Sequence, residues 1–99
     1  MKLEELGVGP ILFREEAQFR KEIKFEDRIT ADMEVTKAKK DFSRWSIRHH
    51  LTKEDGTVAA IINMDGAWMN LSLRKLTAPD AFVHSVFDAF PKSADFHWI

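Results

Sequence analysis

The chain between residues 11 and 25 alternates between apolar and polar side chains. Apolar residues recur at almost every second position, and mostly charged residues fill the positions between them. The apolar set consists of Ile11, Phe13, Ala17, Phe19, Ile23 and Phe25. Because successive side chains of a strand point to opposite faces, this period of two predicts a long strand with one buried face.

Two further alternating runs follow the first. A polar break at residues 26–28 precedes the alternating residues 29–36, and a third run extends from Trp45 to Leu51. Asp55-Gly56 comes next, and this dipeptide predicts a tight hairpin turn because both residues tolerate positive φ angles. The pattern therefore predicts consecutive antiparallel strands that are joined by short turns.

The segment from Val58 to Met64 differs from the earlier runs because it is apolar at nearly every position. Strands with this pattern are covered on both faces, so we expect this strand to lie in the middle of the sheet. Gly66 follows in the same run, and it predicts either a bulge or the close approach of another backbone.

The C-terminal quarter of the chain predicts a helix. Thr77 and Asp80 have the spacing of a capping box, in which the Thr77 side chain accepts a hydrogen bond from the amide of Asp80. The helix is expected to end near Ala89, and its wide apolar stripe must be buried. The aromatic tail after Pro91 is expected to pack. The pattern thus predicts one α+β domain over residues 1–99, with about four long strands in a curved antiparallel sheet and a C-terminal helix.

Composition and charge restrict the classes of function. The chain has a net charge of −1 with basic and acidic residues interleaved, so it has no field that would attract nucleic acid or an anionic membrane. It has no cysteine, which excludes disulfides, thiolate nucleophiles and thiolate metal ligands. No signal peptide and no apolar run of about 18 residues is visible, so we expect a cytoplasmic protein without a membrane partner.

No catalytic or metal-binding template is complete in this sequence. The histidines are His49, His50, His84 and His97, and no two of them have the i, i+4 spacing of a helical metal pair. The serines lack a glycine-rich elbow and a partnered histidine. We therefore predict neither a metal site nor a bound cofactor.

Glu15 is the candidate for a catalytic group. It occupies a position on the apolar face of the first predicted strand, between Phe13 and Ala17. A carboxyl group that is buried there could serve as a general acid or base. The alternative is that this end of the strand is open, so that Glu15 is exposed to water or paired with a lysine or arginine.

Arg74 and Lys75 lie between the last apolar run and the predicted helix. Cations at such a position could hold phosphate groups, and the partial positive charge of the helix N-terminus would add to their effect. The alternative is a solvated basic pair in a surface ion network. Trp68 is one of the aromatic residues that could line an acyl pocket, although core packing is the usual role of such side chains.

Three stretches of the chain carry a resemblance to a known family. They are GVGPILFREEAQFRKEIKFEDRITADMEV, SRWSIRHHLTKEDGTVAAIINMDGAWMNLSLRKLTAPD and the closing FPKSADFHWI, with DGAW followed by RKLT as the most distinctive piece. Over these residues the chain resembles the C-terminal two-thirds of hot-dog-fold thioesterases of the 4-hydroxybenzoyl-CoA thioesterase type. The resemblance implies a partial or variant hot-dog fold, an acyl-CoA substrate and a homodimer in which two sheets join edge to edge.

The resemblance also implies which parts of the family precede residue 1. These parts are a first strand, a loop of the form D-x-x-G-H-x-N-N and most of a long helix that the sheet wraps around. The opening residues 1–6 are then expected to be the last turn of that helix, in an N-terminally truncated domain. No residue of this sequence matches the family's catalytic Asp or Glu. By position, Arg74 and Lys75 are candidate ligands of the CoA phosphates, with Trp68 as a further substrate-binding residue.

The favoured function is hydrolysis of an acyl-CoA thioester, or descent from an enzyme with that activity. One alternative is a non-catalytic acyl- or CoA-binding or dimerisation module. Another is a cone-shaped binding domain similar to the nuclear transport factor family. In each case something must cover the apolar face of the sheet, since a patch of that size is not left open on a monomer. The candidates are the C-terminal helix folded inward, a second copy of the chain, or an N-terminal segment.

Overall fold

The computed structural model describes residues 8–99, and the helical turn predicted for residues 1–6 lies outside this part of the chain. The elements in chain order are β1 (Val8–Phe19), β2 (Ile29–Ala31), β3 (Glu34–Ala38), β4 (Arg44–Lys53), β5 (Val58–Asn70), β6 (Lys75–Leu76), α1 (Ala81–Asp88) and β7 (Lys92–Trp98). The predicted α+β class is confirmed. The predicted strand number is wrong, because residues 8–99 form seven strands rather than about four.

All seven strands belong to one sheet whose main order is β1-β5-β4-β3-β7, with β2 beside β4 and β6 beside β5. The pairs among β1, β5, β4 and β3 are antiparallel, whereas β7 lies parallel to β3. The prediction that β5 is an interior strand is confirmed. The aromatic tail expected after α1 forms β7, so it completes one edge of the sheet.

The turn between β4 and β5 is the predicted hairpin. Gly56 has a φ of +90°, and its amide donates to the carbonyl oxygen of Lys53 at 2.9 Å. The Lys53 amide donates to the carbonyl oxygen of Thr57 at 2.8 Å. A positive φ at this position favours glycine, which explains why the Asp-Gly dipeptide located the turn correctly.

A β-bulge at Phe13 interrupts the alternation of β1. Leu12 pairs with Gly66 and Arg14 pairs with Asp65, so Phe13 is an extra residue without a partner in β5. An extra residue of this kind reverses the direction of the side chains that follow it. The two halves of β1 therefore present their apolar residues to opposite faces of the sheet.

The continuous apolar face predicted for residues 11–25 is wrong as a consequence. Ile11 precedes the bulge and Ala17 follows it, so their side chains lie on opposite faces. The strand ends at Phe19, and Ile23 and Phe25 lie in the connection that leads to β2. Both are exposed, because this connection lies outside the packed part of the sheet.

One face of the sheet, which we call the helix face, is covered by α1. It carries Trp45 and Trp68, and both contact the buried Phe87 of α1, with ring centroids 5.4 and 5.5 Å apart. The buried core cluster consists of Val35, Ala38, Phe42, Trp45, Ile47, Trp68, Val83 and Phe87. Within residues 8–99 the indole N–H groups of Trp45 and Trp68 have no hydrogen-bond partner. Of the three candidate covers, the C-terminal helix folded inward is therefore present on this face.

The N-cap of α1 is Asp80, and the predicted capping box at Thr77 is wrong. The Asp80 side chain accepts a hydrogen bond from the amide of Val83 at 2.9 Å. The Thr77 hydroxyl instead donates to the carbonyl oxygen of Ala78. Asp80 has the extended backbone conformation and the short acceptor side chain that an N-cap requires, so the helix begins after it.

Candidate functional site

The structure places Arg74 and Lys75 together in the connection between β5 and β6. Arg74 has a φ of +55°, and its amide donates to the carbonyl oxygen of Asn70 at 2.8 Å. Lys75 opens β6 and pairs with Asn70. Both residues are exposed, and neither forms an ion pair with another residue between 8 and 99. Their assignment to a phosphate group stays a prediction.

Trp68 and Glu15 lie apart from this basic pair. Trp68 is only 4% exposed and its indole packs against Phe87, so a ligand could reach it only if α1 moved. Glu15 lies in β1, opposite Met64, and is exposed. The second of its two interpretations, an open position in contact with water, is therefore the one that the structure supports. Its catalytic role stays a prediction.

A hydrogen-bonded cluster centred on Asp65 lies on the other face of the sheet, which we call the polar face. The Ser46 hydroxyl donates to Asp65 Oδ1 at 2.5 Å, and Arg14 Nη1 donates to Oδ2 at 3.2 Å. Arg14 Nη2 also pairs with Glu16 at 2.8 Å. The hydrogen bond from Ser46 holds the pKa of Asp65 below its usual range; burial opposes this, and Arg14 reinforces it. Asp65 is therefore a fixed negative charge at neutral pH.

Gly66 explains how Ser46 and Asp65 come together. In β4 and β5 the pair Ser46–Asp65 is adjacent to the pair Trp45–Gly66. A Cβ atom on Gly66 would lie 2.4 Å from Trp45 Cη2 and 2.7 Å from the carbonyl oxygen of Ile11. Only glycine permits both contacts. The close backbone approach predicted at Gly66 is confirmed, whereas the bulge lies in the facing strand, at Phe13 of β1.

The Asp65 cluster forms part of an open cavity of about 400 Å³. Its lining residues are Phe13, Arg14, Lys37, Arg44, Trp45, Ser46, Asp65, Gly66 and Ile99. The Arg44 guanidinium lies 5.5 Å from the centre of the Phe13 ring, a distance at which cation and ring attract each other. The lining includes three cationic side chains and a single carboxylate, so we call it the cationic cavity.

Sequence reasoning did not find the cationic cavity. The sequence pattern singled out Gly66 in this region and gave no role to Lys37 or Arg44. The available signal was a carboxylate inside the most apolar strand of the chain, because a charged residue in such a strand usually has a partner. The partners come from β1 and β4, and their register becomes known only from the fold.

His49 and His50 of β4 form hydrogen bonds with Asp32, the residue that follows β2. His50 Nδ1 lies 3.0 Å from the Asp32 carboxylate, and the His50 amide donates to the same carboxylate at 2.6 Å. His49 Nδ1 lies 2.8 Å from the carbonyl oxygen of Asp32. Burial favours the neutral acid, but the His50 hydrogen bonds outweigh it and lower the pKa of Asp32.

Two further features are absent from residues 8–99. This part of the chain contains no group of three or more His, Cys, Asp or Glu residues that could hold a metal ion. It also contains no helix with the length and apolar character needed to cross a membrane.

Several solved structures share this fold. A Staphylococcus aureus protein in complex with CoA superposes with a TM-score of 0.78 and 21% identity, over 92% of this chain and 59% of its own length. A DHNA-CoA thioesterase from Staphylococcus aureus superposes with a TM-score of 0.73 and 15% identity, over 88% of this chain and 57% of its own length. A Pseudomonas aeruginosa protein superposes with a TM-score of 0.81 and 14% identity, over 95% of this chain and 65% of its own length. The chain thus spans less than two-thirds of each structure.

The structural matches agree with the hot-dog fold that the sequence resemblance implied, and at these identities they bear on the fold alone. No curated protein sequence matches this chain significantly. The family model of the thioesterase-like superfamily matches residues 2–87, which is most of the chain. The resemblance noted in the sequence is therefore confirmed, and the chain belongs to the thioesterase-like superfamily.

Proposed function

We propose that this chain binds an acyl-CoA and hydrolyses its thioester, or descends from an enzyme that did so. The observation that carries the proposal is the family match over residues 2–87. It is supported by similarity to a structure that contains CoA and to a structure described as a DHNA-CoA thioesterase. CoA enters this reaction as part of the substrate, and no separate cofactor is required.

Arg74 and Lys75 are proposed to contact the phosphates of CoA. Both side chains are exposed, and both are free of ion pairs within the described chain. Two adjacent cations without partners can each supply a charge-assisted hydrogen bond to a phosphate oxygen. Trp68, buried behind Phe87, would join the acyl side of the site only after α1 is displaced.

Thioester hydrolysis can be tested with a panel of acyl-CoA substrates and detection of the released thiol. Glu15 stays the candidate hydrolytic carboxylate from the sequence, and its exposure removes burial as a reason for that role. If it activates water, Glu15→Gln should lower the turnover rate by roughly 10²-fold or more. Glu22→Gln is a matched control, since Glu22 is also exposed but lies in the connection after β1. An unchanged rate in Glu15→Gln would remove Glu15 and leave the activity itself in place.

The second candidate function is a non-catalytic acyl- or CoA-binding or dimerisation module. Asp65 favours this second candidate, because both of its carboxylate oxygens already accept hydrogen bonds, one from Ser46 and one from Arg14. A carboxylate that is held in this way anchors its neighbours and is a poor base. Clear binding of CoA without release of thiol from any member of the panel would favour this module over the enzyme.

We also propose a homodimer that forms along β1. Within residues 8–99, β1 pairs only with β5 and forms an edge of the sheet. Leu12 and Phe19 expose 53% and 73% of their surface on this strand. A long edge strand with apolar side chains is a surface to which another strand can be added.

Sedimentation equilibrium tests this dimer. Phe19→Lys should weaken self-association at least about tenfold, because it places a charge at each copy's edge where apolar contact is expected. Phe82→Lys is the control, since Phe82 is similarly exposed but lies on α1. If the unsubstituted chain stays monomeric at high concentration, the homodimer is contradicted.

A further inference from the structure

The cationic cavity contains more positive charge than its own carboxylate can balance. Arg14 is engaged with Asp65 and Glu16. Lys37 and Arg44 form no ion pair within residues 8–99. Asp65 and Glu16 both face Arg14, so Lys37 and Arg44 remain as two lining cations without an ion pair within residues 8–99.

Strand pairing holds these charges together. Lys37 of β3 pairs with Ser46, and Ser46 pairs with Asp65 of β5. Arg44 precedes Trp45 in β4 and lies beside the bulge residue Phe13. Two like charges that face one open space repel each other, and a bound anion would remove this cost. Lys37 is half-buried in β3, directly after the irregularity between Val35 and Lys37.

We propose that the cationic cavity binds a small phosphate monoester whose organic part is apolar. A phosphate monoester carries a charge of about −1.5 to −2 at neutral pH, which matches the two positive charges of Lys37 and Arg44. A carboxylate carries a single negative charge and would leave one cation unbalanced. Phosphate oxygens also accept several hydrogen bonds, so Lys37 and Arg44 can bind the same group.

The apolar part of the ligand has its own surface in the cavity. Phe13 and Ile99 are the exposed large apolar residues among the lining, whereas the Trp45 side chain is buried on the helix face. The bulge gives Phe13 no partner in β5, and its side chain is 53% exposed. An aromatic or aliphatic group that is attached to the phosphate could pack on this surface, whereas inorganic phosphate could not.

Phenyl phosphate is the first probe, and its binding to the full chain can be measured by isothermal titration calorimetry. Lys37→Gln and Arg44→Gln should each weaken binding by about tenfold or more, because each removes a charge-assisted hydrogen bond. Arg28→Gln is the matched control, since Arg28 is an exposed cation outside the cavity. Benzoate and inorganic phosphate should both bind more weakly than phenyl phosphate. Thermal unfolding of each variant shows whether it has folded.

Equal binding of phenyl phosphate to the unsubstituted chain and to both cavity variants would overturn the proposal. So would no detectable binding to the unsubstituted chain, or benzoate binding as tightly as phenyl phosphate. The two substitutions are independent, because Lys37 belongs to β3 and Arg44 to β4. If one variant fails to fold, the other still decides the question.

A second pair of probes identifies the source of the phosphate. CoA carries a phosphate monoester that dephospho-CoA lacks. If the cavity substitutions weaken CoA but not dephospho-CoA, the monoester of CoA is the ligand. If they weaken phenyl phosphate alone, the ligand is a separate phosphate ester; both results support the site. The proposal does not depend on thioester hydrolysis, so a chain that is inactive toward every acyl-CoA leaves it standing.

Discussion

The two faces of this sheet are formed by alternate residues of the same strands, yet they are built differently. Trp45 and Gly66 lie on the helix face, and their neighbours Ser46 and Asp65 lie on the polar face. The helix face is covered by α1 at Trp45 and Trp68 and is held there by aromatic contacts. The polar face is held by hydrogen bonds and remains open to a ligand. The comparison shows that one covered face can support the fold while the other is available for binding.

Removal of the Phe87 ring, on the helix face, should cause the largest loss in the free energy of unfolding. Phe87 contacts the rings of Phe42, Trp45 and Trp68, so Phe87→Ala leaves a cavity in the centre of a thin core. We expect a loss of about 3–5 kcal/mol in the free energy of unfolding, measured by urea denaturation. Phe82→Ala, on the exposed side of α1, should cost less than about 0.5 kcal/mol. Similar losses in both variants would mean that α1 does not cover the helix face as described.

Substitution of Gly66 by alanine tests the close packing of β5 against its two neighbouring strands. Gly66→Ala places a Cβ against Trp45 and the Ile11 carbonyl group, and it should reduce the free energy of unfolding by about 1–3 kcal/mol. Gly9→Ala is the control, because the nearest atom there belongs to the flexible Leu71 side chain. Both variants can be compared by chemical denaturation. A neutral Gly66→Ala would contradict the tight contact between β4 and β5.

Asp65→Asn tests the charge on the polar face through the pH dependence of stability. Because the folded pKa of Asp65 is lowered, the carboxylate stabilises the fold above its unfolded pKa. This contribution is lost as the pH falls from the unfolded toward the folded value. We expect Asp65→Asn to cost about 1.5 kcal/mol at pH 7 and the difference to shrink below about pH 4. Glu22→Gln is the control, and a gap that is constant with pH would count against the Asp65 cluster.

The smallest expected effect concerns the cap of the helix that covers the core. Asp80→Ala removes the acceptor for the Val83 amide and should lower the midpoint of thermal unfolding by an amount that corresponds to about 1 kcal/mol. Thr77→Ala should have almost no effect, because Thr77 does not cap α1. A larger loss of stability in Thr77→Ala than in Asp80→Ala would support the capping box that the sequence predicts.

The features that the sequence predicted correctly depend on local chemistry. Asp55-Gly56 located the β4–β5 turn because a positive φ at Gly56 is a property of a few neighbouring residues. The apolar run from Val58 identified the interior strand because burial on both faces removes the alternation. The predicted burial of the stripe on α1 is correct only in part: Val83 and Phe87 pack on the sheet, whereas Phe82 and Val86 are exposed.

The features that the sequence missed depend on contacts between distant segments. The sequence of β1 alternates on both sides of the bulge at Phe13, but the residues after the bulge lie on the other face of the sheet. Periodicity alone therefore cannot reveal the bulge. Strand β7 forms only because β3 offers a free edge to it. The cationic cavity joins Lys37, Arg44 and Asp65 from three strands, and no spacing within any one strand indicates their meeting.

The two buried indoles behind α1 have an optical consequence. Trp45 and Trp68 are buried, whereas Trp98 is 42% exposed. Indole emission moves to longer wavelengths when water reaches the ring. Displacement of the helix would therefore appear as a red shift in the intrinsic fluorescence of the unlabelled protein, and the same spectrum would report whether an acyl ligand reaches Trp68.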